Sequence, residues 1–220
     1  MTTVLKLDGS NQEAVRDRAL VSILQGEVIV VAAEHGYVLA CDAFRFNSVA
    51  TIHQLRADAP GTAAQVMIGK VETVAGIATD FDSDWQTITR SFWPGLVTIH
   101  LVPQPGLQWD LGDSNDLGEF AVRIPQAPFL LSLLRASGPL AVASATHAGQ
   151  PAIRDPGTIP FMQTEVGLVV DQGILPAGPA STILRRHTIG VDSGIEMVRE
   201  GAVTLAELQA VFAKISLATD

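Results

Sequence analysis

The sequence predicts one α/β domain built on a mixed sheet. Three observations carry that expectation. Helix-like and strand-like segments alternate along most of the 220 residues. Hydrophobic residues make up 47% and charged residues only 17%, so much of the chain is expected to be buried. The alternation is too irregular for a plain doubly wound fold, which points to strands of mixed direction. The length suits one sizeable core, and the span 1–220 is read as a single domain.

The elements follow in order. Ser10-Asn11-Gln12-Glu13 reads as a capping box, with Ser10 as N-cap of a helix running to Gln25 and stopped by Gly26. GEVIVVAA is a buried strand by its β-branched content. Tyr37 to Cys41 is another short strand, and a helix fits Ser48 to Arg56. Ala63 to Ile68 reads as a strand and Asp84 to Phe92 as a helix. Pro94 and Gly95 break the chain before a strand at Leu96 to Val102. Glu119 to Ile124 is a strand ended by Pro125, and Phe129 to Ala136 a helix ended near Gly138. Leu140 to Ala143, Val166 to Val170 and Thr182 to Arg185 are strands, and Thr204 opens a last helix to about Lys214. Asp110 to Gly118 is a polar surface loop.

Composition excludes several function classes. The net charge is −9, whereas nucleic-acid binders carry a basic face, so tight RNA binding is disfavoured. The longest apolar run, Val28 to Ala33, is too short to cross a membrane. The N-terminus lacks a signal-peptide pattern and Cys41 is the lone cysteine, so a reducing, cytoplasmic setting is expected. No P-loop, dinucleotide fingerprint or zinc spacing occurs. The histidines read as surface or satisfied polar residues, Cys41 as core, and Trp93 as an anchor at a turn.

Three stretches can carry a site. In GPLAVASATHAGQP an apolar strand runs into Ser144, Thr146 and Gly149, and strand ends of this kind are where open α/β sheets bind ligands. In FAVRIP a charge, Arg123, sits among apolar residues. Either alternation turns it to solvent or it reaches an anion in a cleft. Ser181-Thr182 follows the Gly/Pro-rich ILPAG loop, where hydroxyls can cap the strand entry or bind phosphate.

These stretches, with SFWPGLVTIHL, ASTIL, MVREGAV and VIVVAAEHGYVLACDA, resemble in order the motifs of the YrdC-like threonylcarbamoyl-adenylate synthase family, over about residues 12–212. The resemblance implies an open twisted sheet with helices around a deep cavity. It implies an enzyme joining ATP, L-threonine and bicarbonate, normally with Mg²⁺, into threonylcarbamoyl-adenylate and pyrophosphate. A second enzyme then passes the group to tRNA, so tRNA-modification proteins are implied partners, and duplex RNA binding is associated with the family. No tightly bound cofactor is implied. Arg123, Ser144, Ser181 and Arg199 match positions that would hold phosphate or carboxylate groups, Thr146 is a further substrate-binding position, Arg56 is what remains of the basic segment, and Tyr37 would line the threonine end. Arg123 is expected to point into the cavity, with Glu34 as its candidate partner. No catalytic nucleophile is assigned.

The sequence departs from the family where the chemistry lies. The family's Pro-Thr-Asp-Thr segment reads Ala32-Ala33-Glu34-His35, and Lys-x-Arg-Pro reads Arg56-Ala57-Asp58-Ala59. The following basic region is Gly61-Thr62-Ala63, and an expected Asn and Ser are Thr146 and Ala148. Each lost charge-assisted bond costs about 1.5–3 kcal/mol, so weakened ATP binding is expected. A catalytically degenerate relative, binding a small ligand, RNA or a tRNA-modification partner, is therefore the alternative reading.

Overall fold

In the computed structural model, which describes residues 2–218 except 115, 117, 162–164, 190 and 191, the apolar run after Gly26 becomes a strand buried on both faces. Chain order is β1 (Thr3–Lys6), α1 (Gln12–Leu24), β2 (Val28–Ala32), β3 (Tyr37–Asp42), α2 (Phe46–Arg56), β4 (Gln65–Met67) and α3 (Val74–Ile77). It continues with α4 (Ser83–Phe92), β5 (Val97–Leu101), β6 (Phe120–Arg123), α5 (Pro128–Ser137) and β7 (Leu140–Ser144). Last come β8 (Val166–Asp171), β9 (Thr182–Ile189), β10 (Asp192–Arg199), α6 (Leu205–Val211) and β11 (Ile215–Leu217).

Among the described residues these strands form one sheet, in the order β1-β8-β2-β3-β7-β4-β6-β5-β9-β10-β11. The sheet is mixed, as expected. For example, β2 and β8 are parallel, while β2–β3, β3–β7 and β5–β6 are antiparallel. Side chains alternate across it and feed two cores. One core packs α1 residues Val15, Ala19 and Ile23 and α5 residues Phe129, Leu130 and Leu133 on Ile29, Val31, Val38 and Val142. The other joins Val49 and Ile52 of α2 and Trp85 and Ile88 of α4 to Val30, Leu39, Val66 and Ile99. Cys41 belongs to this second core, where burial and then the charge of Asp42 push its thiol well above the ordinary range.

The expected elements form, with shifted ends, and three differences have identifiable causes. The capping box at Ser10 does not form. Asp8 captures both the backbone N–H and the hydroxyl of Ser10, at 2.8 and 2.6 Å, so α1 starts at Gln12 behind Asn11. A capping box closes instead at Thr204 and Glu207, and that helix ends at Val211 so that Ile215–Leu217 can join the sheet beside β10. β9 runs beyond Arg185, to Ile189, and pairs with β10, a strand that apolar alternation did not reveal. Its register sets Glu196 opposite Arg185, and the two side chains meet at 2.6 Å. A cross-strand charge pair of this sort supports a ladder that hydrophobic periodicity misses. No described helix is long and apolar enough to cross a membrane.

Candidate functional site

Register decides which side chains share a surface. Val38 pairs with Ser144, Val142 with Gln65, and Met67 with Arg123, so these residues stand on one face of the sheet. Helices α1 and α5 cover part of that face. Beyond them lies a cavity of about 450 Å³, walled by the β2–β3 turn, the ends of β6 and β7, and the segment Gly178–Ser181 with Arg199. Ligand sites of α/β proteins commonly lie at strand ends in this way.

Two glycines permit the close approaches that shape the wall. A Cβ on Gly36 would stand 2.9 Å from that of Ala152, so glycine lets the 152–153 segment close on the turn, where Tyr37 N donates to Ile153 O at 2.8 Å. A Cβ on Gly201 would meet the Ser181 carbonyl carbon at 2.6 Å, so only glycine lets the 199–202 segment pack on Ala180 and Ser181. Ala202 N donates to Ala180 O there at 2.8 Å.

Arg123 is buried at the cavity wall, not on the outer surface. Its Nη1 donates to Glu34 Oε1 at 2.6 Å and to Gly95 O at 3.1 Å. The same carboxylate oxygen accepts Gln126 N at 2.8 Å. Burial alone would raise the Glu34 pKa; the Arg123 charge and these hydrogen bonds outweigh it and hold the carboxyl below its usual range. Arg123 Nε is buried with no hydrogen-bond partner. A guanidinium has five donors, so Nη1 is satisfied by the protein while the shielded Nε–H is left without a partner.

At the β9 end, Arg199 donates through Nη2 to Ser181 O at 2.7 Å, and Thr98 Oγ1 donates to Ser181 Oγ at 2.9 Å. Tyr37, Arg123, Ser144, Ser181 and Arg199, expected from the sequence, thus all border one cavity. Arg56 and Thr146 do not. Arg56 lies behind the 144–146 turn and holds it from below, with Nη1 on Ser144 O at 2.6 Å and Thr146 O at 3.0 Å. Its Nε donates to Asp58 Oδ2 at 2.9 Å, and His53 Nδ1 meets the same oxygen at 2.9 Å. Asp58, which reverses a charge relative to the family pattern, is therefore a buried partner of Arg56, not a lining residue. Thr146 is buried beneath the turn.

Tyr37 contributes to the wall, but its hydroxyl is engaged elsewhere. It donates to Gly173 O at 2.8 Å and accepts Gln172 N at 2.9 Å. Phenylalanine at this position leaves the Gln172 amide without its acceptor. Y37F is expected to lose about 1–3 kcal/mol of stability in urea unfolding while substrate KM stays near the parent value. An unchanged midpoint with a raised KM would instead place the hydroxyl on the ligand.

Gln65 and Thr98 escaped the sequence reading. They are 33 positions apart on different strands, and only the sheet joins them, with Gln65 Nε2 on Thr98 Oγ1 at 3.2 Å. Of the remaining histidines, His100 meets Glu119 at 2.9 Å, His35 packs against Gly178 near Pro176 O and His147 is exposed, whereas His187 departs from the expectation, its buried Nδ1 having no hydrogen-bond partner.

The fold and this arginine-bearing cavity define a mixed-sheet α/β protein with its pocket at the strand ends. The Sua5/YciO/YrdC family model, described as telomere recombination, matches residues 22–201, and the chain belongs to that family. A Mycobacterium tuberculosis protein provisionally named threonylcarbamoyl-AMP synthase is 33% identical over 140 residues, covering 62% of this chain and 64% of its own. The Bacillus subtilis threonylcarbamoyl-AMP synthase is 24% identical over 200 residues, covering 90% of this chain and 56% of its own. The Pyrococcus abyssi Sua5 structure complexed with L-threonine superposes with a TM-score of 0.85 at 21% identity, over 99% of this chain and 62% of that one. The fold is therefore shared, and this chain spans less than two thirds of each of these relatives.

Proposed function

We propose that this protein forms threonylcarbamoyl-adenylate and pyrophosphate from ATP, L-threonine and bicarbonate, in the service of tRNA modification. The amine of threonine takes up bicarbonate as a carbamate with loss of water. A carbamate oxygen then displaces pyrophosphate from the α-phosphorus of ATP. The observation that carries the reading is Arg123: a buried cation at the wall of a cavity that Ser144, Ser181 and Arg199 also border. The names of the curated relatives support it. This chain's part is to hold the reactants together and offset their charge, which needs no covalent nucleophile.

The described residues do not fit a protein-held Mg²⁺ site. No group of three or more histidine, cysteine, aspartate or glutamate side chains placed to hold a metal occurs among them, and Glu34, the carboxylate at the cavity, is bound to Arg123. No step is routed through a metal here. A cytoplasmic location and tRNA-modification partners belong to the same proposal, supported by the lone buried Cys41 and by the family.

One observation favours the alternative of a degenerate binding protein: Glu34 already takes up one nitrogen of Arg123. The assay that separates the two is pyrophosphate release from ATP in the presence and absence of threonine and bicarbonate. Release that depends on both co-substrates is expected, and none at all would overturn the proposal. ATP affinity is expected to be weaker than micromolar by calorimetry, because Arg56 is engaged internally and Gly61-Thr62 adds no charge. Tight binding would contradict the weakened site.

A further inference from the structure

A line of polar side chains runs along the cavity floor from Gln65 to Arg199. Gln65 Nε2 lies 3.2 Å from Thr98 Oγ1, Thr98 Oγ1 lies 2.9 Å from Ser181 Oγ, and Arg199 Nη2 lies 3.3 Å from that same oxygen. In the sheet β6 separates β4 from β5, so Gln65 reaches Thr98 across the face that carries Arg123.

Donor chemistry gives this line a direction. An amide nitrogen only donates, so Thr98 Oγ1 accepts from Gln65 and donates its own O–H to Ser181 Oγ. A guanidinium also only donates, so Ser181 Oγ accepts from Arg199 as well. Both lone pairs of Ser181 are then filled. What the hydroxyl has left is its own O–H, and Ser181 borders the cavity. A serine with a free rotor can either donate or accept. One whose lone pairs are occupied can only donate.

We propose that Thr98, oriented by Gln65, is a positioning residue that makes the Ser181 hydroxyl an obligate donor to an anionic oxygen of the bound substrate, phosphate or carboxylate. The inference rests on the function proposed above. Thr98 is 1% exposed, so it acts through Ser181 and not on the ligand. Such a fixed donor selects for acceptor oxygens before any ligand arrives, which lowers the reorganisation that binding requires.

The test compares the parent protein with T98V, which keeps the shape and removes the hydroxyl, and T98S, which restores it. Binding of inorganic pyrophosphate and of L-threonine is measured by calorimetry, alongside pyrophosphate release. T98V is expected to weaken one of the two ligands about tenfold, and which one it weakens tells phosphate from carboxylate. T98S is expected to bind like the parent. Equal binding by T98V and the parent overturns the proposal, as does equal loss in T98S, which would make the effect one of packing. If T98V does not fold, Q65M decides in its place, and unchanged binding overturns the proposal. A parent that binds neither probe overturns it too. A parent that binds a probe with this dependence on Thr98 but releases no pyrophosphate removes the synthase reading and leaves the relay standing.

Discussion

Replacing Arg123 by methionine is expected to lower kcat/KM at least about 100-fold, the loss typical of removing one preorganised donor from a reacting charge. The same change should cost about 3 kcal/mol of stability, because Glu34, whose side chain is only 11% exposed, is left as a carboxylate without its cation. Pyrophosphate release measures the first effect and urea unfolding the second. The pair also gives a pH signature. The Glu34 carboxyl is held below its ordinary value in the folded state. Its contribution is therefore fully present above the unfolded-state value, about 4.3, and is lost as pH falls through the depressed folded value. The stability difference between the parent and E34Q should shrink as pH falls below about 4. A difference that stays constant through that window would show that the pair does not stabilise the fold. An R123M variant that keeps full activity would remove Arg123 from the site.

The second large effect is expected at Arg56, which touches no ligand surface. Arg56 ties together the Ser144 and Thr146 carbonyls and the Asp58 carboxylate. R56M leaves Asp58 with His53 alone and frees two carbonyls of the turn. A loss of about 3 kcal/mol is expected. Because Ser144 borders the cavity on that turn, substrate KM should rise as well. R56K should recover little, since an ammonium lacks the planar fork that reaches three acceptors at once. Thermal unfolding and KM are the measurements. An R56M protein that melts with the parent would show that the turn is held by its own backbone bonds, such as Ala145 N on Tyr37 O at 2.9 Å.

Much of the fold was legible in the sequence because its central strands and helices are marked by unbroken chemistry. Val28–Ala32 is apolar throughout and became a doubly buried strand. Gly26 and Gly138 both take positive φ near the ends of the helices that they were read as stopping. The edges were harder to read. β1 is a half-exposed border strand, and β10 owes part of its pairing to the Arg185–Glu196 contact. Neither leaves a periodic apolar trace.

The residue types of the site were also readable. A lone arginine in FAVRIP, hydroxyls after Leu140–Ala143, and Ser181 behind a Gly/Pro loop each mark a position that a packed core does not explain. What the letters could not convey was which of these cations faces ligand and which faces protein. In sequence Arg56 and Arg123 both read as cations that could hold an anion. Only the tertiary structure turned Arg56 inward to brace a turn and put Arg123 at the cavity wall. The reason is physical. A side chain's type and period are local properties that a sequence carries, whereas the count of filled donors and lone pairs depends on partners tens of residues away, such as Glu34, 89 positions from Arg123, and exists only once the sheet has formed.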